Sequence, residues 1–458
     1  MMNIVIVGAG DLGSHIAFIL SKEHHNVILI DKDAQRLQEI SSKMDIATRQ
    51  GSGTDWQLLD DLLEFSPHLF IALTGNEETN LVACSIAKNL RYPRTIARIR
   101  NARYLNRSLI DFERVFDVDY FINPEILVAQ EILKYILHPD SLAIENFAHG
   151  ALQLRTVKIP SSWKEDSLPL HAMGLPENII VGLILRHLKD VPEDFQGPVS
   201  KVIFPHGRDT IQPDDEVTLI GAAEAMTTIH RHFGIPERTI KSAVIVGGSL
   251  TGMNLAKLLV AQEIDVRIID KSFEKCSVLA EKLPQCTIMH HDGTDIDYLR
   301  SEKIGSADIL IACTNSDEVN ILAALLGKEV GCPDSHIVLS NTSFIPMITR
   351  LGLNHTISPR IIATNHILAQ IFSGKVTSLI SLYEDQAEIM ELKVSLDSKL
   401  AGITLSELGP FLPKDFLIVM IQNRGRIIIA HGNRIMSPGD TVIVVTNPKH
   451  VPELEEIF

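Results

Sequence analysis

The same succession of motifs occurs twice along the chain, and this duplication limits the fold more than any composition does. MNIVIVGAGDLGSHIAFIL at the start matches SAVIVGGSLTGMNLAKLL from Ser242, with Gly247 standing 239 residues after Gly8. VILIDKD matches VRIIDKS at the same interval, which aligns Asp31 with Asp270. GSGTDW matches HDGTDI, and ALTGNEETN matches ACTNSDEVN, both at an interval of 240. FINPEILVAQEIL then matches TISPRIIATNHIL, and PHGRDTIQPDDEVTLIG (205–221) matches AHGNRIMSPGDTVIVVT (430–446). Each half is therefore a longer unit followed by a shorter one. The boundaries expected are 1–137, 138–235, 236–372 and 373–458.

In each longer unit, runs such as IVIVG, VILIDK and LFIALT alternate with helical patterns such as SHIAFILSKE and ETNLVACSIAKNL. Strands apolar throughout suit a parallel sheet covered on both faces, joined by right-handed crossovers. The shorter units read as strands, LRTVKIP, NIIVGLILRH, VSKVIFP and DEVTLIG, separated by Pro, Gly and Asp turns, with one short helix near Leu170–Met173. The fold class expected is α/β: two Rossmann-type parallel-sheet domains, each followed by a small α+β module. HPDSLAIENFAHG (138–150) and IFSGKVTSLISLYEDQ (371–386) read as the joins, and PERTIK (236–241) as the hinge between halves.

In the first unit Gly8-Ala9-Gly10-Asp11-Leu12-Gly13 falls between a strand and a helix. The first glycine permits the tight turn, the second lets a pyrophosphate approach the backbone, and the third lets helix and strand pack closely. The helix N-terminus favours the anion. Asp31 ends the next strand, 18 residues after Gly13, at the position of an acid that takes ribose hydroxyls. An acid there favours NAD over NADP, because it repels a 2′-phosphate. Asp55, and Thr74 with Gly75, lie in loops at the carboxyl ends of strands, where open α/β sheets bind ligands. Two readings stand for Asp55, contact with adenine or ribose and a helix N-cap. Arg98 and Arg100 alternate along an apparent strand, either facing the pocket to neutralise phosphate or pairing with Glu77 or Glu78.

The second unit has Gly247-Gly248-Ser249-Leu250-Thr251-Gly252, with a serine where the backbone must approach the phosphates. Its hydroxyl is a possible donor to a phosphate oxygen. Asp270, Asp292, Thr314 and Asn315 complete the second set, but the arginine pair is replaced, TIARIR becoming HIVLSN (336–341). The second site is thus expected to bind more weakly, to bind another nucleotide, or to be structural.

A net charge of -15 argues against nucleic acid as a partner, since phosphate binding needs a basic face. Five scattered cysteines without a CxxC pair read as reduced thiols of a cytoplasmic protein. No apolar stretch approaches the ~20 residues needed to cross a bilayer. No metal site is expected: His24-His25 and His290-His291 lack ligand partners at tetrahedral spacing. Glu77/Glu78 and Asp317/Glu318 read as first-turn acids of helices.

GAGDLG, the strand-end Asp31, GSGTD, ALTGNEETNLVAC and IARIRN resemble the KTN/RCK nucleotide-binding domain, and the HG…PxD segments resemble its companion C-terminal domain. Two copies in one chain resemble the regulatory subunits of Trk-type potassium uptake. The resemblance implies binding of NAD(H), and in some members ATP or ADP, by a ring, expected to be a homotetramer. It also implies peripheral attachment to the cytoplasmic face of an integral membrane potassium-translocating subunit. By the resemblance the first site uses Gly8 to Gly13, Asp31, Thr74, Gly75 and Arg98, and the second uses Gly247 to Gly252, Asp270, Thr314 and Asn315. Asn76 departs from the family, which commonly has an acid there. Two rival functions remain: an NAD-dependent dehydrogenase, and a regulator of a potassium–proton antiporter. The duplication leaves no unique catalytic domain, and His206 and His431 of the HG turns are remote in sequence from the dinucleotide motif.

Overall fold

The computed structural model describes residues 2–458 except 188–199, 354, 372–375, 384–385, 399, 409–411, 414, 424–425, 431, 452–453 and 455–458, so His431 lies outside the described residues. The first parallel sheet comprises β1 (Asn3–Val7), β2 (Asn26–Asp31), β3 (Ala47–Gln50), β4 (Leu69–Ala72), β5 (Thr95–Arg98) and β6 (Tyr120–Ile122). Ile4, Val5, Ile6 and Val7 of β1 are at most 2% exposed, which only a strand covered on both faces requires. The crossover helices are α1 (Asp11–Lys22), α2 (Ala34–Ser41), α3 (Trp56–Asp61), α4 (Glu77–Asn89) and the short α5 (Phe112–Val115). α1 lays Leu12, Ile16 and Leu20, spaced four apart, on the sheet. Each such burial stabilises the fold by roughly 1.5–3 kcal/mol. The strand order β3-β2-β1-β4-β5-β6 reverses between β1 and β4, the point where doubly wound sheets open a crevice. α6 (Pro124–Leu137) leads out of this sheet.

The first small module is a five-stranded antiparallel sheet of β7 (Ser141–Phe147), β8 (Leu152–Lys158), β9 (Ile179–His187), β10 (Ser200–Ile203) and β11 (Glu216–Ala222), ordered β10-β9-β11-β8-β7 and followed by α7 (Ile229–Phe233). The second parallel sheet repeats the first: β12 (Ser242–Val246), β13 (Asp265–Asp270), β14 (Thr287–His290), β15 (Ile309–Ala312), β16 (Ser335–Val338) and β17 (His355–Ile357), in the order β14-β13-β12-β15-β16-β17. Its helices are α8 (Leu250–Ala261), α9 (Phe273–Lys282), α10 (Ile296–Ser301), α11 (Asp317–Glu329), α12 (Ile345–Arg350) and α13 (Pro359–Ile371). The second module contains β18 (Val376–Leu382), β19 (Ala387–Lys393), α14 (Leu405–Leu408), β20 (Phe416–Asn423), β21 (Arg426–Ile429) and β22 (Thr441–Thr446), ordered β18-β19-β22-β20-β21. The expected fold class is the one observed.

The segments expected to be joins contain strands instead, since β7 and β18 form an edge of each five-stranded sheet. A register shift between Ser141 and Ala143 breaks the inside–outside alternation, and this obscures β7 in the sequence.

Like units associate with like. One compact unit joins Met1–Leu133 to Ile240–Leu368, the two parallel sheets, and the other joins Lys134–Thr239 to Ala369–Phe458, the two modules. Within the latter, Phe147, Leu154 and Ile220 of the first module share a core with Ile389, Val419 and Ile443 of the second. Thr218 and Tyr383 bond through their hydroxyls across that core at 2.7 Å.

Candidate functional site

The chain leaves β1 at Gly8, which has φ +104°, and a Cβ there would meet the backbone N of Thr74 at 2.9 Å. Only glycine turns the chain this tightly between β1 and β4. Gly13 carries α1 directly over the turn, since its Cβ would lie 1.9 Å from the Gly8 carbonyl oxygen. Gly10, the N-cap of α1, has no atom within 4 Å of where its Cβ would stand. That combination leaves open space at a helix N-terminus, where unbonded N–H groups point at an anion. The side chains of Ala9 and Leu12 turn into the core, and Asp11 is exposed. The loop therefore offers its backbone rather than those side chains.

Asp31 and Asp270 tie down the two glycine turns. Asp31 Oδ2 accepts the Ala9 N–H at 2.6 Å and its Oδ1 accepts the Asp33 N–H at 2.9 Å. Asp270 repeats this with Gly248 at 2.7 Å and Ser272 at 2.8 Å, and is more buried, at 8% exposure, with Lys275 Nζ 3.7 Å away. Each carboxylate oxygen keeps a second lone pair for a ribose hydroxyl.

Thr74 and Thr314 sit where β4 and β15 end, each held by a buried asparagine that no motif marks. Asn80 and Asn320 are completely buried. Asn80 Oδ1 accepts both the N–H and the hydroxyl of Thr74, while its Nδ2 donates to the carbonyls of Thr74 and Arg98. Asn320 does the same for Thr314 and Val338. The available signal was an asparagine at the same helical position in both copies, on a face otherwise apolar. Asn76 and Ser316 cap α4 and α11.

Asp55 is the N-cap of α3, accepting the N–H groups of Gln57 and Leu58, and Asp295 caps α10 identically. Asp55 thus corresponds to Asp295, whereas Asp292 takes the place of Ser52 and lines a crevice with Asp270, Lys271 and Asn315 of about 250 Å³. The hydrogen bond from the Thr294 hydroxyl holds the Asp292 carboxyl below its usual range. Ser249 donates its hydroxyl to the Cys313 carbonyl at 2.8 Å and accepts the Gly252 N–H at 3.2 Å. In this conformation the hydroxyl caps α8 and is not directed at a phosphate.

The arginines differ most. Glu77 accepts the backbone N–H groups of Arg100 and Asn101, as Asp317 does those of Ser340 and Asn341. The side chains of Arg98 and Arg100 instead share Glu125 Oε1, at 3.4 and 2.9 Å. They line a cavity of about 620 Å³ whose other walls include Gly248, Ser249, Thr314 and Asn315. The two arginines of the first repeat and the glycine turn of the second therefore line one cavity. Arg98 Nε and Glu125 Oε2 are buried and have no hydrogen-bond partner among the described residues. In the reverse direction Arg360 occupies the place of Glu125, bonds Thr342, and lies close enough to His15 on α1 to add to the effect of burial in lowering the His15 pKa.

The cysteines are free, and Cys84, Cys276, Cys313 and Cys332 are buried. Burial pushes the Cys313 thiol up to about 12. Among the described residues no helix is long and apolar enough to cross a membrane.

The TrkA-N domain model matches residues 4–124 and 243–359, the two parallel-sheet units, and the TrkA-C domain model matches 389–458. A Trk system potassium uptake protein TrkA homolog of Methanosarcina mazei is 30% identical over the full length of both chains. The Trk system potassium uptake protein TrkA of Halomonas elongata is 30% identical, over all of this chain and 98% of that one. Among solved structures, the GsuK RCK domain superposes with a TM-score of 0.62 at 15% identity, covering 100% of this chain and 94% of the other. The GsuK channel bound to NAD gives 0.63 at 15% identity, covering 100% and 78%. With two TrkA-N matches, a TrkA-C match and full-length relatives of matching size, this chain belongs to the TrkA family.

Proposed function

We propose that this chain is a cytoplasmic, NAD(H)-binding regulatory subunit of a potassium-uptake system, with ADP or ATP as competing ligands. It acts from the inner face of the membrane on a potassium-translocating partner, as a ring of four chains. Its working parts are the segments 1–137, 138–235, 236–372 and 373–458. The reading rests on one observation above all, the cavity that Arg98 and Arg100 line together with the glycine turn of the other parallel-sheet unit. Phosphates bound at that turn bridge the two units, so ligand affinity depends on how the units are set. A ligand shifts a conformational equilibrium only by such a difference in affinity. The first turn, with Gly10 open and Asp31 behind it, is the stronger site for a dinucleotide, and the second binds more weakly because Ser249 caps its helix. The named relatives are potassium-uptake proteins, and solved neighbours of the same fold include a channel bound to NAD and one bound to ADP.

Calorimetric titration of the intact protein with NADH tests the ligand, with at least one site per chain expected. Absence of binding by NADH, NAD, ADP and ATP overturns it. Co-purification from membranes tests the partner, with a potassium-channel-like subunit expected, and hydride transfer to small carbonyl compounds would revive the dehydrogenase.

A further inference from the structure

At the end of the second parallel sheet opposite to the nucleotide crevice, three metal-ligating side chains meet. Asp334 immediately precedes β16, His336 is its second residue, and His355 opens the edge strand β17. His336 and His355 are direct partners in the parallel register, so their side chains stand side by side on one face. Asp334, two residues before His336, belongs to that same face. The imidazole rings are 4.7 Å apart, and one ligand atom from each of the three residues lies within 4.8 Å of the others.

We propose that Asp334, His336 and His355 form a binding site for a divalent transition-metal ion of the zinc class. Two imidazole nitrogens and a carboxylate oxygen are the donor set such ions prefer, with water as the fourth ligand. Two ligands each about 2.0–2.1 Å from one ion are at most about 4.2 Å apart, so small side-chain rotations close the set.

The duplicated fold supplies its own control. In the first repeat the same three positions carry Arg94, Ile96 and Tyr120, and Ile96 pairs with Tyr120 exactly as His336 pairs with His355. Ile96 and His336 are both 2% exposed. The scaffold therefore packs well with an aliphatic side chain at that place, and burying an imidazole there costs desolvation that an isoleucine avoids. Three ligand side chains stand together, in one copy only, where the fold alone requires none. Asp334 Oδ1 is already oriented by the Ser335 N–H at 2.8 Å. Cys332 stands outside the group, its thiol donating to the carbonyls of Ala307 and Asp334.

No local spacing announces this site, because His336 and His355 come from successive strands with α12 between them. An ion there would pin the edge strand β17 to β16, at the opposite end of the strands from the glycine turn.

The test is titration of chelator-treated, full-length protein with Zn2+, followed by calorimetry. One stoichiometric site per chain is expected, and affinity falls at least tenfold in His355→Ala and in Asp334→Asn. His336→Ile, which installs the residue of the first repeat, removes the site while leaving circular dichroism and NADH titration unchanged. Stoichiometric Zn2+ uptake that persists in His336→Ile and His355→Ala, or no stoichiometric uptake by the unmodified protein, overturns the proposal.

Discussion

The carboxylate of Asp31 accepts the backbone N–H of Ala9 across 2.6 Å. The acid at the end of β2 therefore shapes the phosphate turn before any ribose reaches it, and Asp270 does the same for Gly248. The same carboxylate fixes the loop and keeps lone pairs open for a further hydrogen bond.

Asp31→Ala removes both. Charged hydrogen bonds of this kind are worth about 1.5–3 kcal/mol. The Kd for NADH at the first site is expected to rise about 10- to 100-fold by isothermal titration. An unchanged Kd would show that Asp31 serves only the turn.

Ser249→Gly frees the Gly252 N–H at the N-terminus of α8. Replacing a capping serine by glycine costs only a few tenths of a kcal/mol in stability, roughly. Nucleotide should bind the second site more tightly while the thermal midpoint hardly moves. Gly10→Ser should weaken the first site, and both effects are read by titration.

Arg100→Ala, introduced together with Asp31→Ala so that only the second site responds, is expected to weaken nucleotide binding about tenfold. Glu125→Gln should tighten it, because the shared carboxylate no longer competes with phosphate for Arg98 and Arg100. If Arg100→Ala leaves the second site unaltered, the bridging of the two units by ligand is wrong.

Asn80→Ala deletes four hydrogen bonds to Thr74 and Arg98 inside a dry core. Leaving their partners unsatisfied should cost about 1–3 kcal/mol, seen as a lower urea midpoint. Asn320→Ala should behave alike in the second copy.

His138 in the unit formed by the small modules has its pKa lowered to about 4 by burial, then by Arg155 and His230. His230 and His232 are lowered as well, chiefly by burial. Below the ordinary histidine value of 6.5 the unfolded chain takes up protons that the folded one refuses, so stability falls as pH drops from 6.5 toward 4. Denaturant midpoints should decline across that window, and His138→Gln should flatten the decline.

The sequence by itself determined the duplication, the two parallel sheets, both glycine turns and the strand-end acids, because each leaves a local trace. Periodicity, a fixed interval and a glycine where the backbone must turn all act within a few residues. β7 leaves no such trace because a register shift breaks its alternation. Asp55 was indistinguishable from a ligand contact because an N-cap and a ribose acceptor are the same residue in the same kind of loop. Tertiary structure alone decided that Arg98 and Arg100 line one cavity with the turn of the other repeat, that Asn80 and Asn320 clamp the strand ends, and that Asp334, His336 and His355 converge. Those relationships join residues that are neighbours only once strands pair and the two sheets associate. Side-chain charge and hydrogen bonding act over a few ångströms in space, whatever the separation along the chain.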